Sequence, residues 1–216
     1  MTVRAKLALL ALKTIFRGFE IYKKIKNREN MSVLDAGCGN HSPVALIMPQ
    51  LNHQVTGLDI FEPALRKARS SSDYNGLILG DVSYLPFKDN SFDISVCTAV
   101  LEHLEKNDGD RLLSELERVS KWLVLVSCPI GKWTQHAIDG NPYQEHKYVW
   151  SLDELRDKGF RKIRGVGLKG MSGKLWGSLL RSPIGFVLGI ITLIGTLVSY
   201  RLPEIASGVI VWKNVV

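Results

Sequence analysis

The chain has 216 residues, 45% apolar and 23% charged, with a formal charge of +7 from 28 Lys and Arg against 21 Asp and Glu. That size and composition suit one domain with some structure to spare, and exclude intrinsic disorder or two full domains. Cys38, Cys97 and Cys128 are odd in number and lack metal-ligand spacing. Neither a disulfide framework nor a zinc module is expected, and a reducing cytoplasm is the natural setting.

The charge is concentrated. Residues 1–30 carry a net +6 and residues 156–181 a net +7, which leaves −6 on the rest. Two basic segments on an acidic body suit an anionic membrane surface or nucleic acid; the plainer reading is a pair of solvated helix faces. The apolar run Leu7–Leu12 is short, is followed at once by Lys13 and precedes no small-residue cleavage site, so no secretory signal is expected.

Residues 3–26 pattern as an amphipathic helix. Ala5, Ala8, Leu12, Ile15, Phe19 and Tyr22 recur at spacings of three and four, opposite a stripe of Lys6, Lys13, Arg17, Glu20 and Lys24. From Ser32 the pattern changes to short β-rich runs alternating with helical ones. Val33–Ala36, Val55–Ile60, Leu77–Gly80, Phe92–Cys97 and Trp122–Cys128 read as strands. Pro43–Pro49, Pro63–Ser70 and Asp110–Ser120 read as helices, with Pro43 and Pro63 suited to first turns. Such alternation predicts a mostly parallel sheet covered on both faces, with ligands at the carboxyl ends of its strands.

Ser151-Leu-Asp-Glu154 is a capping box, which predicts a helix from Leu152 to Lys158. Phe160–Val166 and Ser207–Trp212 read as terminal strands. Between them Ile184–Tyr200 runs for 17 residues without a charge, bracketed by Arg181 and Arg201. As a helix it would be about 25 Å long, short for a bilayer core. A single crossing would also leave the last strand on the wrong side of the membrane. An interfacial hairpin avoids this, and a helix buried in the domain is the alternative. The expected organisation is a basic helix over 1–30 and one domain over 31–216, with an apolar insertion at about 170–204.

The chemistry-bearing signal begins with Val33-Leu34-Asp35-Ala36-Gly37-Cys38-Gly39-Asn40 at the end of the first strand. Gly37 and Gly39 allow a sharp turn and close approach of the backbone to a ligand. Asp59 ends the next strand, 22 residues past Gly37, where a carboxylate would accept from ribose hydroxyls. Position 42 is Ser42, so the third glycine of a dinucleotide fingerprint is missing.

These residues, with Gly80-Asp81-Val82, Leu85-Pro86-Phe87, Ser91-Phe92-Asp93-Ile94 and Val100-Leu101-Glu102-His103-Leu104, resemble the class I S-adenosylmethionine-dependent methyltransferases. The similarity is to the small-molecule, quinone-biosynthesis-like type 11 group. It covers Val33–Leu104, extends more loosely to Pro129 and fades after Trp150. It implies an α/β, Rossmann-like fold with a seven-stranded mostly parallel sheet, and S-adenosylmethionine as cofactor. Carried over, Gly37 and Gly39 would pass the methionine portion, with Asp35 beneath. Asp59 would hold the ribose, Asp81 would accept from the adenine amino group, and Val82 would lie beside the ring. Asp81 alone also reads as a turn residue.

Methyl transfer depends chiefly on positioning, and a base is needed only when the nucleophile must lose a proton. His103, in a helix-opening pair with Glu102, and His146 are the catalytic candidates; a structural helix-end histidine is the competing reading for His103. Trp133, Tyr143, Tyr148 and Trp150 surround His146 in a Gly-Asn-Pro loop, either lining a pocket or packing the loop. Leu101-Glu-His with Glu145-His146-Lys-Tyr-Val-Trp150 is also similar to metal-dependent small-RNA 2′-O-methyltransferases. Ala99 stands where their first glutamate would be, so no metal is assigned. The expected reaction is methyl transfer to a small or lipid-linked acceptor, at oxygen, on the cytoplasmic membrane surface. The alternatives are RNA 2′-O-methylation and cofactor binding without turnover.

Overall fold

Short runs of Val, Ile and Leu become strands, largely buried at Ser32–Ala36 and Phe92–Thr98 as the centre of a parallel sheet requires and only half-buried or exposed at the edge strand Gly76–Leu79. The computed structural model describes residues 27–40, 42, 44, 52–70, 74–131, 134–138, 140–166 and 198–215. Its strands are β1 (Ser32–Ala36), β2 (Gln54–Asp59), β3 (Gly76–Leu79), β4 (Phe92–Thr98), β5 (Ser120–Pro129), β6 (Lys162–Val166) and β7 (Gly208–Asn214). Its α-helices are α1 (Glu62–Ala68), α2 (Lys106–Val119) and α3 (Leu152–Asp157). The seven strands stand in the order β3-β2-β1-β4-β5-β7-β6. β1 pairs in parallel with β2 and β4, β2 pairs in parallel with β3, and β6 pairs antiparallel with β7. The expected seven-stranded, mostly parallel architecture is therefore present, with a mixed edge.

The chain divides into two compact units: residues 1–98, 106–125 and 214–216, and residues 99–105 and 126–213. In the first, Val33, Leu34, Ala36, Val55, Leu58 and Ile94 are fully buried. Leu112, Leu116 and Val119 of α2 recur at helical spacing, and all three are fully buried as well. That helix starts four residues earlier than the sequence suggested, with Gly109 buried inside it and Asp108 in its first turn, where a carboxylate suits the helix dipole. Strand order reverses about β1, whose neighbours β2 and β4 lie on either side, so ligand binding is expected past its carboxyl end.

In the second unit the Ser151 hydroxyl accepts from the Glu154 N–H at 3.2 Å, and the Glu154 carboxylate accepts from the Ser151 N–H at 2.9 Å. The capping box forms as expected. β6 begins at Lys162 rather than Phe160, because α3 ends in a left-handed turn at Gly159 (φ 84°). Gly159 N–H donates to Arg156 O and Phe160 N–H to Leu155 O, and the Phe160 ring is wholly buried. The helices expected over residues 3–26 and Pro43–Pro49 lie outside the described residues apart from Val44, which is helical. Of the run Ile184–Tyr200 only residues 198–200 are described, within a helical turn. Among the described residues no helix is long and apolar enough to cross a membrane.

Candidate functional site

The carboxyl ends of β1 and β2 are joined by a carboxylate. After Ala36 the chain turns through Gly37 (φ 76°) and Gly39 (φ 57°), a region where a Cβ is strained. Gly37 and Cys38 N–H both donate to Leu58 O, and Gly39 N–H donates to Asp59 Oδ2 at 2.8 Å. Asp59 Oδ1 accepts from Phe61 N–H, also at 2.8 Å. Both oxygens are oriented by backbone donors yet keep lone pairs for ligand hydroxyls.

Asp35 is completely buried beneath this turn. Its Oδ2 accepts from the Tyr74 hydroxyl at 3.0 Å, while Oδ1 has no partner among the described residues. Burial, reinforced by the Asp59 charge and opposed by the Ser42 and Tyr74 hydroxyls, pushes its pKa up to about 7. Tyr74 was not legible as a site residue, because it belongs to no motif.

Asp81 and Val82 follow β3. Gly80 N–H donates to Asp59 O, and Asp81 closes a turn by accepting from Ser83 N–H at 2.8 Å. The turn reading of Asp81 thus holds, and it aligns the acidic residue with the end of β2. Val82 exposes 7% of its surface. The following Leu85-Pro86-Phe87 segment is clamped to α2: Arg118 donates to Leu85 O, Phe87 O and the Glu115 and Asp89 carboxylates, and Glu115 accepts from Leu85 N–H.

Gly37, Gly39, Asp35, Asp59, Asp81 and Val82 are therefore gathered at one end of the parallel strands. S-adenosylmethionine fits the residues present. A Cβ on Gly39 would meet nothing within 4 Å among the described residues, so the backbone turn leaves room for a ligand. The Asp59 carboxylate, at the carboxyl end of β2 beside this turn, supplies acceptors for a ligand carrying ribose hydroxyls.

The second unit holds the two candidate histidines, His103 and His146. Past β4 the backbone turns at Ala99 (φ 54°), and Ala99 N–H donates to Ser127 O. A 3₁₀ turn over Leu101–His103 follows. His103 thus lies in its own turn, not at the opening of α2, which begins at Lys106. The loop bearing His146 is tied to this turn: Lys147 and Tyr148 N–H donate to Glu102 O, and Trp150 Nε1 donates to Leu101 O. His103 and His146 rings stand 4.8 Å apart at 64°. Glu102 is buried, and burial pushes its carboxyl up to about 7. Burial also lowers the His103 pKa, with the His146 and Lys147 charges adding to the effect and the Glu145 carbonyl opposing it.

The aromatic residues divide. Trp150 is 1% exposed and packs the loop, and the Tyr148 hydroxyl donates to Glu154 at 2.6 Å. Tyr143 is 45% exposed, and Trp133 lies outside the described residues. Packing accounts for Trp150 and a surface position for Tyr143.

Residues 34–122 match the family model described as a methyltransferase domain. A malonyl-[acyl-carrier protein] O-methyltransferase of Buchnera aphidicola is 34% identical over 143 residues, covering 63% of this chain and 56% of that protein. A sterol 24-C-methyltransferase of Gibberella zeae is 34% identical over 100 residues, 44% of this chain and 26% of that protein. The chain spans little more than half, or less, of the curated relatives it matches. A solved SAM-dependent methyltransferase from Archaeoglobus fulgidus shares the fold, with TM-score 0.58, 17% identity and coverage of 95% of this chain and 99% of that one.

Proposed function

We propose, from the class I S-adenosylmethionine-dependent methyltransferase domain of the type 11 group that residues 34–122 form, that this protein methylates a small-molecule or lipid-linked acceptor at oxygen. S-adenosylmethionine supplies, when bound, a methyl group on a sulfonium that is already a good leaving group. The chain's part is to bind, orient and manage a proton. The Gly37–Gly39 turn admits the cofactor, Asp59 accepts from its ribose and Asp81 from its adenine amino group. The observation that carries the cofactor reading is the Asp59 carboxylate held by Gly39 and Phe61 N–H groups beside an open glycine turn.

A hydroxyl acceptor must lose a proton, and His103 is prepared to take it. Its Nδ1 lies 3.0 Å from Glu145 O, which only accepts, so Nδ1 carries the hydrogen and Nε2 keeps its lone pair. His146 is the second member of the pair. The two relatives named above act, by their names, on an acyl-carrier-bound acid and a sterol, which supports an acceptor of lipid or acyl character. The basic segments and the run Ile184–Tyr200 support a peripheral site of action on the cytoplasmic face of an anionic membrane.

The test is formation of S-adenosylhomocysteine in the presence of lipid extracts. His103→Ala and His146→Ala should each lower the rate roughly 10²-fold or more while leaving cofactor affinity unchanged. Turnover insensitive to both changes would remove their catalytic role, and cofactor binding without turnover on any acceptor would favour a non-catalytic binding protein. Co-sedimentation with anionic vesicles tests the location. Binding should weaken at high salt, and binding indifferent to salt and to deletion of residues 183–200 would refute it.

A further inference from the structure

Glu102, His103 and His146 offer one donor atom each, all within 4.8 Å of one another. We infer that these three side chains form a binding site for a single first-row transition-metal dication of the zinc, cobalt or iron(II) type. The inference rests on the proposed reaction only for what the ion would do there.

Three independent features of the geometry support it. Glu102 exposes 4% of its surface, and its Oε2 has no hydrogen-bond partner among the described residues. A buried carboxylate oxygen without a donor is costly, and a bound cation would relieve that cost. His103 donates from Nδ1 to a backbone carbonyl, the arrangement that fixes a metal-binding imidazole's tautomer and aims Nε2 as a ligand. The third donor is held by the backbone: His146 N–H donates to Gln135 O at 3.0 Å, and the next two N–H groups donate to Glu102 O.

Two imidazoles and one carboxylate suit zinc, cobalt and iron(II), whereas magnesium and calcium favour all-oxygen shells. Ligand atoms around a tetrahedral ion lie about 3.4 Å apart. The cluster must therefore close by roughly 1–1.5 Å, which rotation of the half-buried His146 side chain can supply. Three protein ligands leave a position open for an acceptor oxygen, and a hydroxyl bound there loses its proton to solvent more readily. In that state the imidazoles hold the ion and no longer take the proton themselves.

The full chain, stripped with chelator, is titrated with Co²⁺ and followed by visible ligand-field absorption, without cofactor or acceptor. One equivalent should bind with a spectrum of low coordination number and be displaced by Zn²⁺. Glu102→Gln and His146→Ala should each weaken binding at least about tenfold. Circular dichroism identifies a variant that has merely unfolded, and His146, less buried than Glu102, gives the second route if the first fails. Absence of a saturable cobalt spectrum overturns the site. So does binding of equal strength in a folded variant, which would mean adventitious sites elsewhere. Because turnover is not read, the metal site can fail while the methyltransferase reading stands, and the reverse.

Discussion

Asp59 and Asp93 form a natural pair for separating a cofactor ligand from a structural carboxylate. Both are held by donors from another strand or turn of the same unit. Asp59 Oδ2 and Oδ1 accept from Gly39 and Phe61 N–H, both at 2.8 Å, at the carboxyl end of β2. Asp93 Oδ2 accepts from Ser32 N–H and Oγ, both at 2.8 Å, at the amino ends of β1 and β4. In Asp59→Asn the amide has one acceptor oxygen for two backbone donors. One charge-assisted bond is lost, and its N–H meets an amide hydrogen, for about 1.5–3 kcal/mol of stability. The ribose hydroxyls lose a charged acceptor of similar worth, so the cofactor dissociation constant should rise about 10- to 150-fold. Asp93→Asn keeps an oxygen for Ser32 and loses the charge and the half-exposed ion pair of Oδ1 with Lys121, so stability should fall by about 1 kcal/mol with cofactor affinity unchanged. Calorimetric titration and urea unfolding of both variants give the two readouts. Unaltered affinity in Asp59→Asn, or an equal loss in Asp93→Asn, would refute the assignment of the β2 end to the ribose.

Asp35 has a folded pKa of about 7 against 3.8 in the free chain, so its contribution to stability is fullest below 3.8 and is lost as pH rises to about 7. Asp35→Asn should gain stability over the wild type across that window, reaching a few kcal/mol above it. Urea unfolding near both ends checks this, and a constant difference would contradict it. Gly39→Ala, at φ 57° beside open space, should cost about 1 kcal/mol of stability and a larger share of cofactor affinity. Gly57→Ala should behave oppositely, since its Cβ would lie 2.9 Å from Cys38 Sγ, Leu77 Cδ2 and Tyr74 Cε1 and cost roughly 1–3 kcal/mol by overpacking. Thermal melts alongside titration separate the two glycines. Arg118→Lys removes the fork that spans Glu115 and the Leu85 and Phe87 carbonyls. With the side chain 32% exposed, the loss should be about 1 kcal/mol, measured by urea unfolding.

The strands and the cofactor turn were legible because they depend on local rules. Val33–Ala36 is apolar throughout, as a doubly covered parallel strand must be, and Gly37 and Gly39 stand where the chain needs positive φ. The Ser151–Glu154 capping box was equally local. Where the reading slipped, a distant neighbour decided. The helical pattern reads from Asp110, yet α2 begins at Lys106 and buries Gly109. Phe160 reads as strand, yet it closes the Schellman turn of α3. Tyr74 and Asp35 are 39 residues apart in sequence, and no spacing rule anticipates their hydrogen bond. The pattern joining Leu101-Glu102-His103 to Glu145-His146 was legible as a resemblance and was set aside because of Ala99; what the sequence did not show is the unpartnered Glu102 Oε2, which is visible only once burial is known.

The central claim is that the turn at Gly37–Gly39 with Asp59 and Asp81 binds the methyl donor. Calorimetric titration of the full chain with S-adenosylmethionine and S-adenosylhomocysteine tests it most directly. Micromolar affinity for both, about −8 kcal/mol, is the expected result. A folded protein that takes up neither ligand would contradict it.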